Sequence, residues 1–217
     1  MLEIVVMFDA TMSWDDDKMS LIPDEHKGHL RSELNERLEK PVKIVMFTQE
    51  VECQFCVQTR QVINELTALS DKIRVEIYDF LADAEKAKQY GVDKVPALII
   101  MGEKDYGIRF YGLPFGYELQ TLIEGLINVS RGKTDIVEDI KNKLREIRTP
   151  VHIQVFVTLT CPYCPIVAGT AHKFAMENDL IRADVIDAGE FPHLGLRYGI
   201  MGCLLYTSPS PRDRQKS

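Results

Sequence analysis

The chain of 217 residues has no apolar run approaching the roughly 18–20 residues of a membrane span. Basic residues are not clustered. Lys and Arg number 26 against 33 Asp and Glu, a formal charge of −7, so no nucleic-acid surface is expected and the acidic balance reads as solvated helix faces. Residues 1–18 have neither a basic start nor a long apolar centre, which excludes a secretory signal. Histidine is scarce and scattered: His26, His29, His152, His172 and His193 do not stand at ligand spacing from any cysteine pair. Cysteine is scarcer in kind than in number. Four of the five cysteines fall into two Cys-x-x-Cys pairs, Cys53-Gln54-Phe55-Cys56 and Cys161-Pro162-Tyr163-Cys164.

These pairs mark an internal repeat. The shift of 108 residues from Cys53 to Cys161 also carries Asp79 to Asp187 and Tyr90-Gly91-Val92 to Tyr198-Gly199-Ile200. Half of a zinc site is the other reading of a Cys-x-x-Cys. Here 104 residues lie between Cys56 and Cys161, against roughly 15–20 in a zinc ribbon. A duplicated dithiol without zinc spacing points to a thiol–disulfide machine with two redox centres and no metal.

Each pair follows an apolar, β-branched run, Val42–Phe47 or Val151–Val157, that reads as a strand. Each precedes helical periodicity, in Val57, Ile63, Leu66 and Leu69 or in Ile166, Val167, Ala171, Phe174 and Ala175. The first cysteine is therefore expected to cap a helix, the second to lie in its first turn, and Pro162 to take the first helical position. Unpaired N–H groups and the positive helix end favour a thiolate, so Cys53 and Cys161 are expected to titrate below ~8.5 and to act as nucleophiles. Cys56 and Cys164 lie within reach to resolve a mixed disulfide. Phe55 and Tyr163, between the cysteines, either shape an apolar contact for clients or cover the helix end. Glu50 and Glu52 read as solvated loop acids, with proton relay as the other role. Asp79 and Asp187 read as turn or cap residues.

The first copy continues with a strand, Ile73–Tyr78, and a short helix, Ala82–Tyr90, closed by Gly91. After Val95-Pro96 come an apolar strand, a turn at residues 102–105, a return strand from Tyr106 to Tyr111, and an amphipathic helix from Glu118 to Val129. The order β-α-β-α-β-β-α, with its dithiol after the first strand, resembles the thioredoxin fold. That resemblance implies a cis-proline at Pro96 facing the dithiol, with the backbone of Val95 pairing with a substrate strand.

The whole repeat, roughly Met19 to Gly202, resembles the protein disulfide oxidoreductases of thermophilic archaea and bacteria, glutaredoxin-like proteins with two thioredoxin folds in tandem. The likeness rests on both dithiols and on Glu76–Phe80, Phe110–Pro114, Val129–Arg131, Val155–Val157 and Ala171–Ala175. It implies an α/β chain that reduces, forms or isomerises protein disulfides with no cofactor beyond its redox-active disulfides. It also implies the stronger centre at Cys161 and Cys164. The implied partners are protein disulfide substrates and a thioredoxin-reductase-like electron donor. Two other functions stay open: a glutathione- or peroxiredoxin-linked reductase, and a non-enzymatic binding module. Two active dithiols without a signal point to the cytoplasm; lasting disulfides there are a hyperthermophile trait.

The expected units are a complete first one over 19–132 and a second over 133–202, opened by a helix that Thr134 caps, with Ile136, Val137, Ile140, Leu144 and Ile147 on its apolar side. Residues 1–18 read as a spurious extension, with a short strand over Leu2–Phe8 as the other possibility. From Cys203 the chain runs Leu204-Leu205-Tyr206-Thr207-Ser208-Pro209, which resembles a translated sequencing adapter; a natural Ser/Pro-rich linker is the alternative. Residues 203–217 are accordingly expected outside the fold. The second unit would then be incomplete, ending before its proline and hairpin, with an unpaired sheet edge.

Overall fold

A computed structural model of the chain describes residues 20–200 and the backbone of 204–208. The first repeat comprises α1 (Asp24–Arg37), β1 (Val42–Thr48), α2 (Cys56–Thr67), β2 (Ile73–Asp79), α3 (Ala84–Gln89), β3 (Ala97–Met101), β4 (Asp105–Tyr111) and α4 (Glu118–Arg131). The second comprises α5 (Glu138–Arg145), β5 (Val151–Val157), α6 (Cys164–Glu177), β6 (Ile181–Asp187), α7 (Pro192–Tyr198) and β7 (Leu204–Ser208). Among the described residues no counterpart of β4 and α4 follows β7. The fold is α/β, with two tandem thioredoxin-like units.

The strands form one sheet in the order β2-β1-β3-β4-β6-β5-β7. Within each unit the duplicated strands pair alike. Val42 to Thr48 lie parallel against Ile73 to Asp79, and Val151 to Val157 lie parallel against Ile181 to Asp187. The units are joined by β4 and β6, parallel from Ile108↔Ala183 to Tyr111↔Ile186. Only β3 and β7 run against the rest. The C-terminal ends of β1, β4, β5 and β6 therefore share one rim of the sheet.

Strand alternation sorts the core into two layers. Ile44, Met46, Leu98, Ile100, Ile108, Phe110, Ile153, Val155, Ala183 and Val185 face α1, α2, α4 and α6. Their neighbours Val45, Phe47, Ala97, Ile99, Tyr111, Phe156 and Ile186 face the region of α3 and α7. Helix α4 carries the densest apolar face. Leu119, Leu122, Ile123, Leu126 and Ile127 are all essentially buried, each contributing roughly 1.5–3 kcal/mol. Gly132 follows α4 with φ 64°, a left-handed closure that glycine adopts without a Cβ clash.

Three expectations change. Leu204–Ser208 pairs antiparallel with β5, Leu204 opposite Phe156, in the place β3 holds beside β1. That edge of β5 is thus paired; residues 1–18, 201–203 and 209–217 lie outside the described residues. Helix α5 starts later than Thr134, whose hydroxyl instead bonds Glu177. Of its expected apolar side, Leu144 is buried whereas Ile140 and Val137, which lies ahead of the helix, are exposed. The third change concerns the cysteines.

Candidate functional site

Both cysteine pairs are disulfides, Cys53–Cys56 and Cys161–Cys164, each with its Cα atoms 5.5 Å apart. The expected helix starts lie two residues too early. Phe55 and Tyr163 hold the cap positions, and α2 and α6 begin at Cys56 and Cys164. The reason is the bridge itself. It folds the segment before each helix into a turn, so helical hydrogen bonding begins with Phe55 as acceptor, from the Thr59 N–H at 2.9 Å. Pro162 stays outside the helix, and Pro165 takes the first-turn place where a missing N–H leaves no helical partner unmet.

Burial separates the two sulfurs of each pair. Cys56 and Cys164 are buried at 1% and 0% exposure, whereas Cys53 and Cys161 are half-buried at the rim. Exposed apolar side chains surround the accessible sulfurs: Val51 and Val57 at the first centre, Tyr163 and Ile166 at the second. Phe55 leans partly into the core rather than outward. The Val95–Pro96 bond is cis. Pro96 is buried just before Ala97, which lies opposite Phe47 of β1, and its carbonyl accepts the Gly112 N–H at 3.0 Å. It stands at the same rim as Cys53. Glu50 and Glu52 are exposed beside that centre, Glu52 with φ 61°.

Near Asp187 the rim also holds two acids, Glu118 and Glu190, that no sequence pattern had singled out. Glu118, first residue of α4, is 1% exposed. Burial pushes it up to about 7, against the Thr121 hydroxyl, which lowers it, and with the nearby charge of Asp187, which adds to the rise. Glu190 is likewise pushed up to about 7 by burial, although its carboxylate accepts the Leu113 N–H at 2.6 Å. Asp187 is 6% exposed and raised by burial. The first turn of α4 is docked on the segment leading to Cys161, where the Tyr117 N–H meets the Leu159 carbonyl at 3.4 Å. The available signal was faint: Glu118 is the lone charged residue between Arg109 and Glu124.

Asp79 and Asp187 do act as turn residues. Asp79 accepts the N–H groups of Leu81 and Ala82, and Asp187 that of Gly189. Among the described residues no three His, Cys, Asp or Glu are grouped to hold a metal, and no helix is long and apolar enough to cross a membrane. A dithiol–disulfide pair takes up and gives back two electrons at its own sulfurs, so these centres need no bound group.

Two such bonds, each at the strand-to-helix step of a thioredoxin-like unit, define a thiol–disulfide oxidoreductase. Known proteins point the same way. A thioredoxin domain model matches residues 151–203. The structure resembles that of a protein disulfide oxidoreductase from Aeropyrum pernix, at 25% identity and TM-score 0.80, covering 86% of this chain and 84% of that one. It shares its fold with the alkylhydroperoxide reductase AhpF of Enterococcus faecalis, at 24% identity and TM-score 0.79, covering 87% of this chain and 90% of that one. In sequence it is 27% identical to a Bacillus subtilis NADH dehydrogenase over 59% of this chain, and 26% identical to an alkyl hydroperoxide reductase of Staphylococcus epidermidis over 75%. The chain spans only 23% and 31% of those two relatives' own lengths.

Proposed function

We propose that the chain exchanges disulfides with client proteins through both centres, Cys53 and Cys161 attacking and Cys56 and Cys164 resolving. The observation that carries this reading is the matched burial: in each pair one sulfur is reachable and its partner is sealed at a helix start. In the reducing direction the thiolate of Cys161 attacks a client disulfide, forming a mixed disulfide and expelling one client thiolate, which takes a proton. Cys164 then loses its proton and attacks Cys161, and the second client sulfur leaves as thiolate and is protonated. Two electrons pass to the client and the Cys161–Cys164 bond re-forms. The helix end beside each pair stabilises the attacking thiolate.

Val95 and Pro96 line the first centre's rim, where the Val95 backbone would pair with an extended client segment, and Tyr163 with Ile166 offers an apolar rest at the second. A dithiol that has reduced a client must be recharged. Relatives named as alkyl hydroperoxide reductase and NADH dehydrogenase favour a pyridine-nucleotide-linked, thioredoxin-reductase-like donor in the cytoplasm. The same names support a second reading, in which the chain passes electrons to a peroxiredoxin. Insulin reduction by the full chain, with Cys53→Ser and Cys161→Ser tested singly, separates the two. Each substitution should remove its own centre's share of turnover. Failure on insulin with retained electron delivery to a peroxiredoxin favours the second reading. Failure on both would overturn the enzyme assignment.

A further inference from the structure

The segment that brings Pro96 to the first centre rests on the second unit. Its beginning shows this by comparison with its repeat mate. Gly91 and Gly199 follow α3 and α7 with nearly the same backbone, φ 65° and 66°. A Cβ built on Gly91 would stand 2.5 Å from Nη1 of Arg182, a residue of β6. One built on Gly199 meets nothing within 4 Å. The two positions match in sequence and conformation, yet the first alone is pressed against the other unit.

Further along, the segment is held at the last residues of β4. The Lys94 ammonium lies over the ring of Tyr111, 3.8 Å from its centroid, and 2.5 Å from the Asp93 carboxylate. A loop lysine ordinarily carries its charge out into water, but this side chain is only 13% exposed. Exclusion of water strengthens the attraction of a cation for an aromatic face. Two residues on, the Pro96 carbonyl accepts the Gly112 N–H at 3.0 Å. Val95 is therefore pinned on both sides. Tyr111 and Gly112 are themselves seated across the seam between β4 and β6. Tyr111 lies opposite Ile186, and its hydroxyl receives the hydrogen bond of Arg182 at 2.7 Å. A Cβ on Gly112 would stand 2.8 Å from the Cβ of Asp187.

We infer that Lys94 is a positioning residue for client binding at the first centre: seated on Tyr111, which Arg182 of the second unit holds, it fixes the Val95 backbone along which a client strand lies. This rests on the activity proposed above. The second unit is then part of the first centre's client groove, in addition to carrying a disulfide of its own. Without this seat the loop would drift along the rim and spoil the register of a pairing client. The Cys53–Cys56 bridge, set at the start of α2, would keep its place. The effect therefore falls on client binding and not on the exchange of sulfur partners.

The test uses the full chain with Cys161→Ser and Cys164→Ser, so that insulin reduction reports the first centre. Lys94→Met keeps the side chain's length and removes its charge. It should raise KM for insulin several-fold, the size of effect a part-buried cation–aromatic contact supplies, with kcat little changed. Tyr111→Phe keeps the ring but removes the hydroxyl that Arg182 reaches, and should raise KM as well. Both act through one ring, so the double variant should fall short of the two effects combined. Lys94→Arg, which restores a cation over the ring, should return KM toward the parent's. With Cys53→Ser and Cys56→Ser in place of the other pair, Lys94→Met should leave KM at the second centre where it was. Lys94→Gln repeats the measurement should the methionine variant fold poorly. A parent-like KM in Lys94→Met or in Tyr111→Phe would overturn the inference, as would an equal rise at both centres, a loss confined to kcat, or no recovery with Lys94→Arg. Absence of turnover in the parent would instead overturn the activity on which the inference rests.

Discussion

Arg182 of β6 donates a hydrogen bond to the hydroxyl of Tyr111 on β4, 2.7 Å away, and so ties one repeat to the other on the face opposite the disulfide helices. The same guanidinium holds Asp184, with Nε at 2.8 Å from one oxygen and a terminal nitrogen at 3.1 Å from the other. His152 adds a contact at 2.7 Å. Asp184 is 1% exposed. Replacing Arg182 with Met would leave that carboxylate buried without its cation, at a cost of roughly 3–5 kcal/mol. Chemical denaturation should show this as a lower midpoint with an unchanged slope; a change under about 1 kcal/mol would mean that His152 alone satisfies Asp184.

The same network sets an acid limit. Burial opposes the charged form of Asp184, but the hydrogen bond from His152 and the charge of Arg182 hold it below the usual carboxylate range. A carboxylate depressed in the folded state contributes stability above its unfolded pKa, near 3.9, and loses it as pH falls through the folded value. Thermal unfolding from pH 5 downward should therefore steepen in the parent. Asp184→Asn, less stable at pH 6, should lose less over the same interval.

A second tie fixes the start of the described chain. Glu65 of α2 accepts the Ser20 hydroxyl at 2.6 Å, the Leu21 N–H at 2.9 Å and the Ile22 N–H at 3.0 Å, and thereby seats Ile22 at 0% exposure. Glu65→Ala should destabilise by roughly 1–3 kcal/mol. Limited proteolysis should then cut ahead of α1, at unchanged rates of disulfide exchange.

Gly116 offers a functional test of the seam. It adopts φ 60°, and a Cβ there would stand 2.5 Å from the Leu159 carbonyl oxygen. Gly116→Ala must push α4 away from the approach to Cys161 and displace Glu118. Turnover at the second centre should fall several-fold while the first, assayed with Cys161→Ser and Cys164→Ser, keeps its rate. Equal loss at both would point to general unfolding.

Much of this arrangement could be read from residue order. Two identical cysteine spacings and the β-branched runs before them fixed both strand–dithiol–helix units, because those signals are local. The cap positions were misread because periodicity marks where a helix runs, whereas the bridge decides where it begins. The union of β4 with β6 left no trace, since parallel pairing between distant segments has no local period. Burial of Glu118 follows from that union and was equally hidden: an acid opening an amphipathic helix ordinarily faces water. Strand β7 was missed because its residues resemble a translated sequencing adapter and were set outside the fold, whereas they pair with β5.

Both disulfides open on one rim because β1 and β5 run in the same direction within a single sheet. Four inter-strand steps separate them, roughly 19 Å at 4.7–4.9 Å each. That gap is far too wide for sulfur to pass electrons directly to sulfur. It equals about six residues of extended chain, so one unfolded polypeptide can lie across both at once. Backbone hydrogen bonding, and not the joint at Gly132 and Lys133, sets this interval. Extra residues in that joint would leave the two ends of the ruler where they are.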